Sequence, residues 1–336
     1  MPALCGIDKS QSRSICDLLR YDVQFDSIIR KQGGRITGNK QHQHTVPKVY
    51  LKNFSLTEGK GRFLYTYLRK NRDIKKCSIK DIAVEKNFYT LSDVEDKDVW
   101  ENFYAEAIEP LYTEIVPLLS LKVLRDRAIV LDTELKDKLA LLMCCQLCRG
   151  RSAREYVEVI AKNTVSKAKE DVRVLTGDTN DEWFLHNMSE DLLKHSYAVA
   201  STDPYYMRIM IDSLFCNKCW VLYRIAGDAC FITSDNPVMF RDARNNNLIP
   251  FTNGLNNPHT VVSYPISSKE LLKIYDVRSM ACVTSLNDQL VILNSEKEKG
   301  LIDLSNRNQV KQCCKQAFSQ NEDTLRKAVE DADKAY

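Results

Sequence analysis

Trp220-Val221-Leu222-Tyr223-Arg224-Ile225-Ala226-Gly227-Asp228-Ala229-Cys230-Phe231-Ile232-Thr233-Ser234-Asp235-Asn236-Pro237 reads as two apolar, β-rich runs around a Gly-Asp turn, which predicts a hairpin. Downstream, Thr260 to Pro265 and Leu271 to Tyr275 add two strands. Upstream, Phe63 to Tyr67 and Asn87 to Leu91 predict a pair of short strands. Between these groups the spacing of apolar residues turns helical, over about 95–122, about 133–173 and about 189–215, and it is helical again over 286–335. The class that follows is α+β: long helices packed on a small, mainly antiparallel sheet.

At the start of the chain, Ile15, Leu18, Leu19, Val23, Phe25, Ile28 and Ile29 predict one or two amphipathic helices over 10–31. Gly33, Gly34, Gly38 and Asn39 break regular structure and deliver the chain to His42-Gln43-His44-Thr45-Val46-Pro47. Pro47 suits the first turn of a short helix through Tyr50, Leu51 and Phe54. The organisation expected is a helical N-terminal extension (1–40), a core α+β domain (41–280) and a helical C-terminal region packed on the core (281–336). No repeat of 20–50 residues recurs, which excludes a solenoid.

Composition narrows the function classes. The chain has 336 residues, 44% hydrophobic and 28% charged, the profile of a folded globular protein. Forty-eight basic against forty-five acidic residues give a net charge of +3, too even to announce a nucleic-acid or membrane protein by electrostatics alone. The basic excess is local: residues 1–52 hold nine basic and four acidic side chains. Apolar runs such as Leu139 to Cys145 fall short of the roughly 20 residues that span a bilayer, and no apolar core follows a basic start. The expectation is a cytoplasmic protein with no membrane partner and twelve cysteines kept as reduced thiols.

Four constellations carry chemistry. His44, in His-x-Val-Pro just before a helix, is placed as a general acid or base, or as a packing histidine beneath a loop. Gln146 and Arg149 interrupt the apolar stripe Leu139, Leu142, Ala153, Tyr156, Ile160. A buried guanidinium is costly unless paired, so Arg149 needs an internal carboxylate or an anionic ligand such as phosphate, or it lies on an exposed helix end beyond Gly150. Arg151 and Arg154 thicken the positive charge there. Thr233-Ser234-Asp235-Asn236-Pro237 ends an apolar strand. Asp235 there reads as a base, an orienter of His44 or a partner of Arg149, with Asn236 as a donor to an oxyanion or phosphate oxygen, or the two form an Asx turn. The Gly-x-Ser-x-Gly elbow is absent, which argues against Ser234 as a nucleophile.

For metal, His42 and His44 lack a nearby third ligand. Cys145-x-x-Cys148 and Cys216-x-x-Cys219 fall on a helical apolar run and a strand start, and read as core thiols rather than zinc ligands. A metal-dependent nuclease core would need a Glu-x-Lys after the strand-end Asp. The nearest stretch after Asp235, Glu270-Leu271-Leu272-Lys273, has the wrong spacing. No metal or cofactor is expected.

Taken in order, His44-x-Val46-Pro47-x-x-Tyr50-Leu51-x-x-Phe54, Asn87-Phe88-Tyr89, Gln146-x-x-Arg149 and Thr233 to Pro237 resemble a family catalogued as domain of unknown function 4238, over about His44 to Tyr275. The resemblance implies no known reaction. It implies a role in anti-phage defence, where similar proteins act as single-gene systems, with a phage-encoded trigger as a partner. Joined to the residue reading, it gives the expectation of a metal-independent nuclease acting on RNA. His44 is then the general acid or base, Arg149 the phosphate holder, Asp235 the orienter of His44, and Gln146, Asn236 and Arg151 bind substrate. The alternative is a non-enzymatic defence sensor or binding protein whose polar cluster is structural.

Overall fold

A computed structural model describes residues 42–90, 98, 101–102, 104–124, 130–176, 204–249 and 254–334. The helices expected over 10–31, and the 189–203 part of the third helical block, lie outside the described residues. Among those described, no helix is long and apolar enough to cross a membrane.

The fold is α+β, with three sheets in place of the small one expected. Strands β1 (His42–His44) and β5 (Val84–Lys86) form an antiparallel pair. One five-stranded sheet runs β11 (Gln289–Asn294), β6 (Lys218–Ala226), β10 (Glu270–Asp276), β9 (Thr260–Pro265), β8 (Met239–Asp242), with only the β11–β6 pair parallel. The other runs β2 (Leu56–Glu58), β3 (Gly61–Leu68), β12 (Gln316–Ser319), β7 (Thr233–Ser234), with β4 (Asp73–Ser78) also on β3.

The helices are α1 (Lys48–Leu51), α2 (Glu109–Leu124), α3 (Thr133–Arg149), α4 (Arg151–Thr176), α5 (Pro204–Phe215), α6 (Lys299–Gln312) and α7 (Glu322–Asp333). A π-helical stretch, Tyr104–Ile108, leads into α2. The expected block 133–173 is two helices, because the backbone at Gly150 is extended (φ −76°, ψ 158°). The short helix after Pro47 is present as α1, and it continues as a 3-10 turn to Phe54.

The main core lies between one face of the β6-containing sheet, where Trp220, Leu222, Tyr264, Leu272 and Ile274 project, and α2, α3 and α5. The opposite face of that sheet packs Val221, Tyr223, Val261 and Leu271 against Ile302 of α6. On the second sheet, Tyr67 and Ala317 pack on Leu325 and Ala328 of α7.

Three sequence expectations are corrected. The 220–237 hairpin does not form: β6 gives its edges to β10 and β11, and Gly227 (φ +93°) turns the chain away. The amide of Asn306 then takes the place of a partner strand, accepting from the Ile232 N–H and donating to the Cys230 carbonyl. The strand expected over 87–91 gives way to β5, which ends at Lys86, just before Asn87 in the left-handed region (φ +53°). The 286–335 stretch is helical in α6 and α7 but also supplies β11 and β12, so this part of the chain completes both large sheets.

Tyr50 ties the sheets together. Its hydroxyl donates to the Pro265 carbonyl (2.8 Å) and accepts from Thr233 Oγ1 (2.7 Å), while its ring stacks on Tyr264. Tyr50→Phe is expected to lower stability by about 1–2 kcal/mol, because Thr233 and the Pro265 carbonyl are left buried without that partner. Urea denaturation of the two proteins measures it.

Candidate functional site

The segment from β1 to α1 is held by side chains rather than by a wide sheet. Gln43, paired across from Glu85, donates its amide to Thr90 Oγ1 (2.8 Å) and accepts from the Tyr89 N–H. Thr45 donates its backbone N–H and its hydroxyl to the Ala83 carbonyl. The end of α3 then reaches the same segment: Gln146 Nε2 donates to the Thr45 carbonyl (3.3 Å) and Arg149 Nη2 to the His44 carbonyl (2.8 Å). Three of the expected site residues, His44, Gln146 and Arg149, therefore do meet.

They meet inside the protein. Arg149 is 1% exposed and stacks on the Tyr104 ring (4.3 Å to its centroid), while its Nε donates to the Tyr89 hydroxyl (3.3 Å). The Tyr89 hydroxyl returns a bond to the Arg149 carbonyl (3.0 Å), and Glu109 lies 3.8 Å from Nη2. Burial opposes the charge, but Tyr89, Glu109 and Tyr104 hold the guanidinium firmly protonated. Its internal partners are thus a carbonyl, a phenol, an aromatic face and a carboxylate.

His44 is 7% exposed, and its Nε2 is buried without a hydrogen-bond partner. Burial, then the charges of Lys48 and Arg149, push its imidazole down to about 4, so it is neutral at physiological pH.

Asp235 and Asn236 go elsewhere. The Asp235 carboxylate accepts the backbone N–H groups of Cys314 (2.7 Å), Lys315 (2.6 Å) and Gln316 (3.1 Å), fixing the turn between α6 and β12. Burial outweighs these bonds and pushes the carboxyl up to about 6. No hydrogen bond or ion pair joins Asp235 to His44 or to Arg149 among the described residues. Asn236 exchanges amide bonds with Gln312 (3.5 and 3.1 Å). Arg151 forms a two-pronged ion pair with Glu85, to which Lys315 also comes within 3.3 Å. These contacts leave Asp235, Asn236 and Arg151 without a hydrogen bond or ion pair to His44, Gln146 or Arg149 among the described residues.

Gln43, Tyr89, Tyr104 and Glu109 complete the Arg149 cluster. Of these the sequence singled out only Tyr89, within Asn87-Phe88-Tyr89. The other three carry no local signal, since their role depends on partners many residues away.

Across the α3–α4 break is a cavity of about 400 Å³ lined by Leu147, Ala153, Tyr156, Val238, Phe240, Asn236 and Lys311 among others. Among the described residues no group of three or more His, Cys, Asp or Glu is placed to hold a metal. Cys145 and Cys148 stay on α3, where burial pushes both thiols up to about 12. Cys219 donates to the Val283 carbonyl, and Cys216 is exposed.

The family model described as "Protein of unknown function (DUF4238)" matches residues 42–323. The chain belongs to this family. No curated protein and no solved structure matches it. The DUF4238 region starts on β1, so it takes in the whole Arg149 cluster. It also runs past the Tyr275 limit of the motif resemblance, through β11, α6 and β12 to the first turn of α7. The DUF4238 region therefore contains the turn that Asp235 caps and every strand of the three sheets.

Proposed function

We propose that this protein acts by binding, in the anti-phage role that its family resemblance implies, and that the His44–Gln146–Arg149 cluster is the scaffold of its binding cavity. One observation carries the reading: Arg149 is 1% exposed with its Nε and Nη2 donors turned on internal partners, while the 400 Å³ cavity at the α3–α4 break is of a size that takes a small ligand. Leu147, Val238 and Phe240 suit an apolar body, with Asn236 and Lys311 beside a polar end. Ala153→Trp, which fills the cavity from α4, is expected to reduce protection of infected cells to the level of cells lacking the protein, at unchanged soluble protein. Wild-type protection by that variant would exclude the cavity.

A second reading is metal-independent cleavage of RNA, with His44 as acid or base, Arg149 on the phosphate and Asp235 orienting the histidine. The observation in its favour is the unpaired Nε2 of a neutral His44. RNA and DNA integrity followed through infection separates the two, with wild type and His44→Ala at matched soluble levels. The binding reading expects intact nucleic acid in protected cells. Cleavage confined to wild type would replace it with the nuclease.

A further inference from the structure

We infer that the face of the β6-containing sheet covered by α6 holds a binding site for a phosphoryl dianion, formed by Lys273, Arg241 and Ser263 with Ser305 and Asn308 of α6. Register places these groups together. Lys273 on β10 lies opposite Ser263 on β9, and Ser263 lies opposite Met239 on β8, so Arg241, two residues along, projects on the same face. Tyr223 and Tyr275 share that face, joined by a hydroxyl–hydroxyl hydrogen bond (2.9 Å).

Both cations are 5% exposed. Lys273 Nζ sits 5.4 Å from the Tyr223 ring centre and makes no hydrogen bond or ion pair among the described residues. Arg241 donates to Asn246 Oδ1 (3.2 Å) and has no carboxylate partner among them. The acidic residues of these strands are already committed. Asp242 holds Arg244, Asp276 holds Lys218 and Arg278, and Glu270 pairs with Arg224. All three alternate with Lys273 and Arg241 along their strands and so point to the opposite face.

On the same face Ser263 Oγ, and on the α6 helix that covers it Ser305 Oγ and Asn308 Nδ2, are buried with no partner. The positive charge of Arg307 also reaches Arg241. Two buried cations without a counter-ion are expensive to keep in a folded core. Burial and the Arg241 charge push the Lys273 ammonium down to about 7, the response of a cation that lacks its anion. A carboxylate would balance one charge and use two acceptor oxygens. A phosphoryl group supplies two charges and three oxygens, which matches a guanidinium fork, an ammonium, two hydroxyls and an amide. This inference is independent of the cavity beside α4, which lies against Phe240 on the other face of β8.

Thermal denaturation and calorimetric titration of the full chain test it, with inorganic phosphate in one arm and adenosine monophosphate in the other, and with chloride holding ionic strength constant. Wild type is expected to be stabilised by at least one of them. Response to phosphate alone assigns the free ion, and tighter binding of the nucleotide assigns a phosphorylated metabolite. Lys273→Met is expected to melt at or above the wild-type temperature without ligand, because an unpaired buried charge is gone, and to lose at least tenfold in affinity. Arg241→Met is read the same way should Lys273→Met fail to fold. No response of wild type in either arm, or an undiminished response in the folded variants, would overturn the site.

Discussion

Replacing Arg149 by methionine is expected to lower the stability of the fold by about 3–5 kcal/mol, the cost typical of removing one partner from a buried charge network. The side chain has about the right volume, so the loss is electrostatic and not a cavity effect. Glu109, the His44 carbonyl and the Tyr89 phenol lose their guanidinium, and the Tyr104 ring loses the cation stacked on it. Arg149→Lys is expected to recover only part of this, since one ammonium cannot reach the carbonyl and the phenol while lying flat on Tyr104. Urea denaturation measures the loss. Faster amide exchange over residues 42–54 locates it, because Arg149 and Gln146 are what tie β1 and α1 to α3.

The same variant separates structure from ligand binding. A guanidinium that existed to hold substrate phosphate would leave stability within about 0.5 kcal/mol when removed, as substitutions outside packing and hydrogen-bond networks do. A destabilised Arg149→Met protein that nevertheless protects cells when its soluble level is restored would remove Arg149 from any chemistry.

How far the sequence could be read depends on whether the deciding partner is near or far along the chain. The apolar runs Thr260 to Pro265 and Leu271 to Tyr275 are legible because each strand carries its own signal. Phe231 and Ile232 carry an equally strong signal and are not paired in a sheet, because Asn306, some seventy residues on, occupies the Ile232 N–H and the Cys230 carbonyl, and the Phe231 N–H goes to the Ser268 carbonyl. Strand β12 has four residues between two helices and no local mark, yet it joins β3 to β7. At the site, the apolar stripe left Arg149 either buried with a partner or on an exposed helix end, and the structure buries it. Which partner it takes is settled by Tyr89, Tyr104 and Glu109, all distant in sequence. Asp235 read as a turn former or a base, and the three N–H groups it caps lie about eighty residues away. Lys273 enters the sequence reading only within the rejected Glu270-Leu271-Leu272-Lys273 spacing, since nothing local tells that this sheet is covered on both faces and the lysine buried.

Acidification sets His44 and Asp235 against each other. The folded protein holds the His44 imidazole near 4 against an ordinary value of 6.5. Its contribution to stability is therefore complete above pH 6.5 and is lost as pH falls through about 4, a change on the order of 3 kcal/mol. Asp235 has the opposite sign: held near 6 against an ordinary 3.8, its contribution is complete below pH 3.8 and is lost as pH rises through about 6. That change is also on the order of 3 kcal/mol. Over pH 4–6 the two nearly cancel in the wild-type protein, and single variants expose each. His44→Gln is expected to gain stability relative to wild type as pH falls from 7 to 4, and Asp235→Asn to lose it, in urea midpoints taken at each pH. The His44 arm bears on function as well as on folding. An imidazole that titrates near 4 behind β5 and α1 is neutral and enclosed throughout the physiological range. If His44→Gln instead followed the wild-type pH profile, the imidazole would be solvated in the folded protein, and proton transfer to a substrate would regain the group it needs.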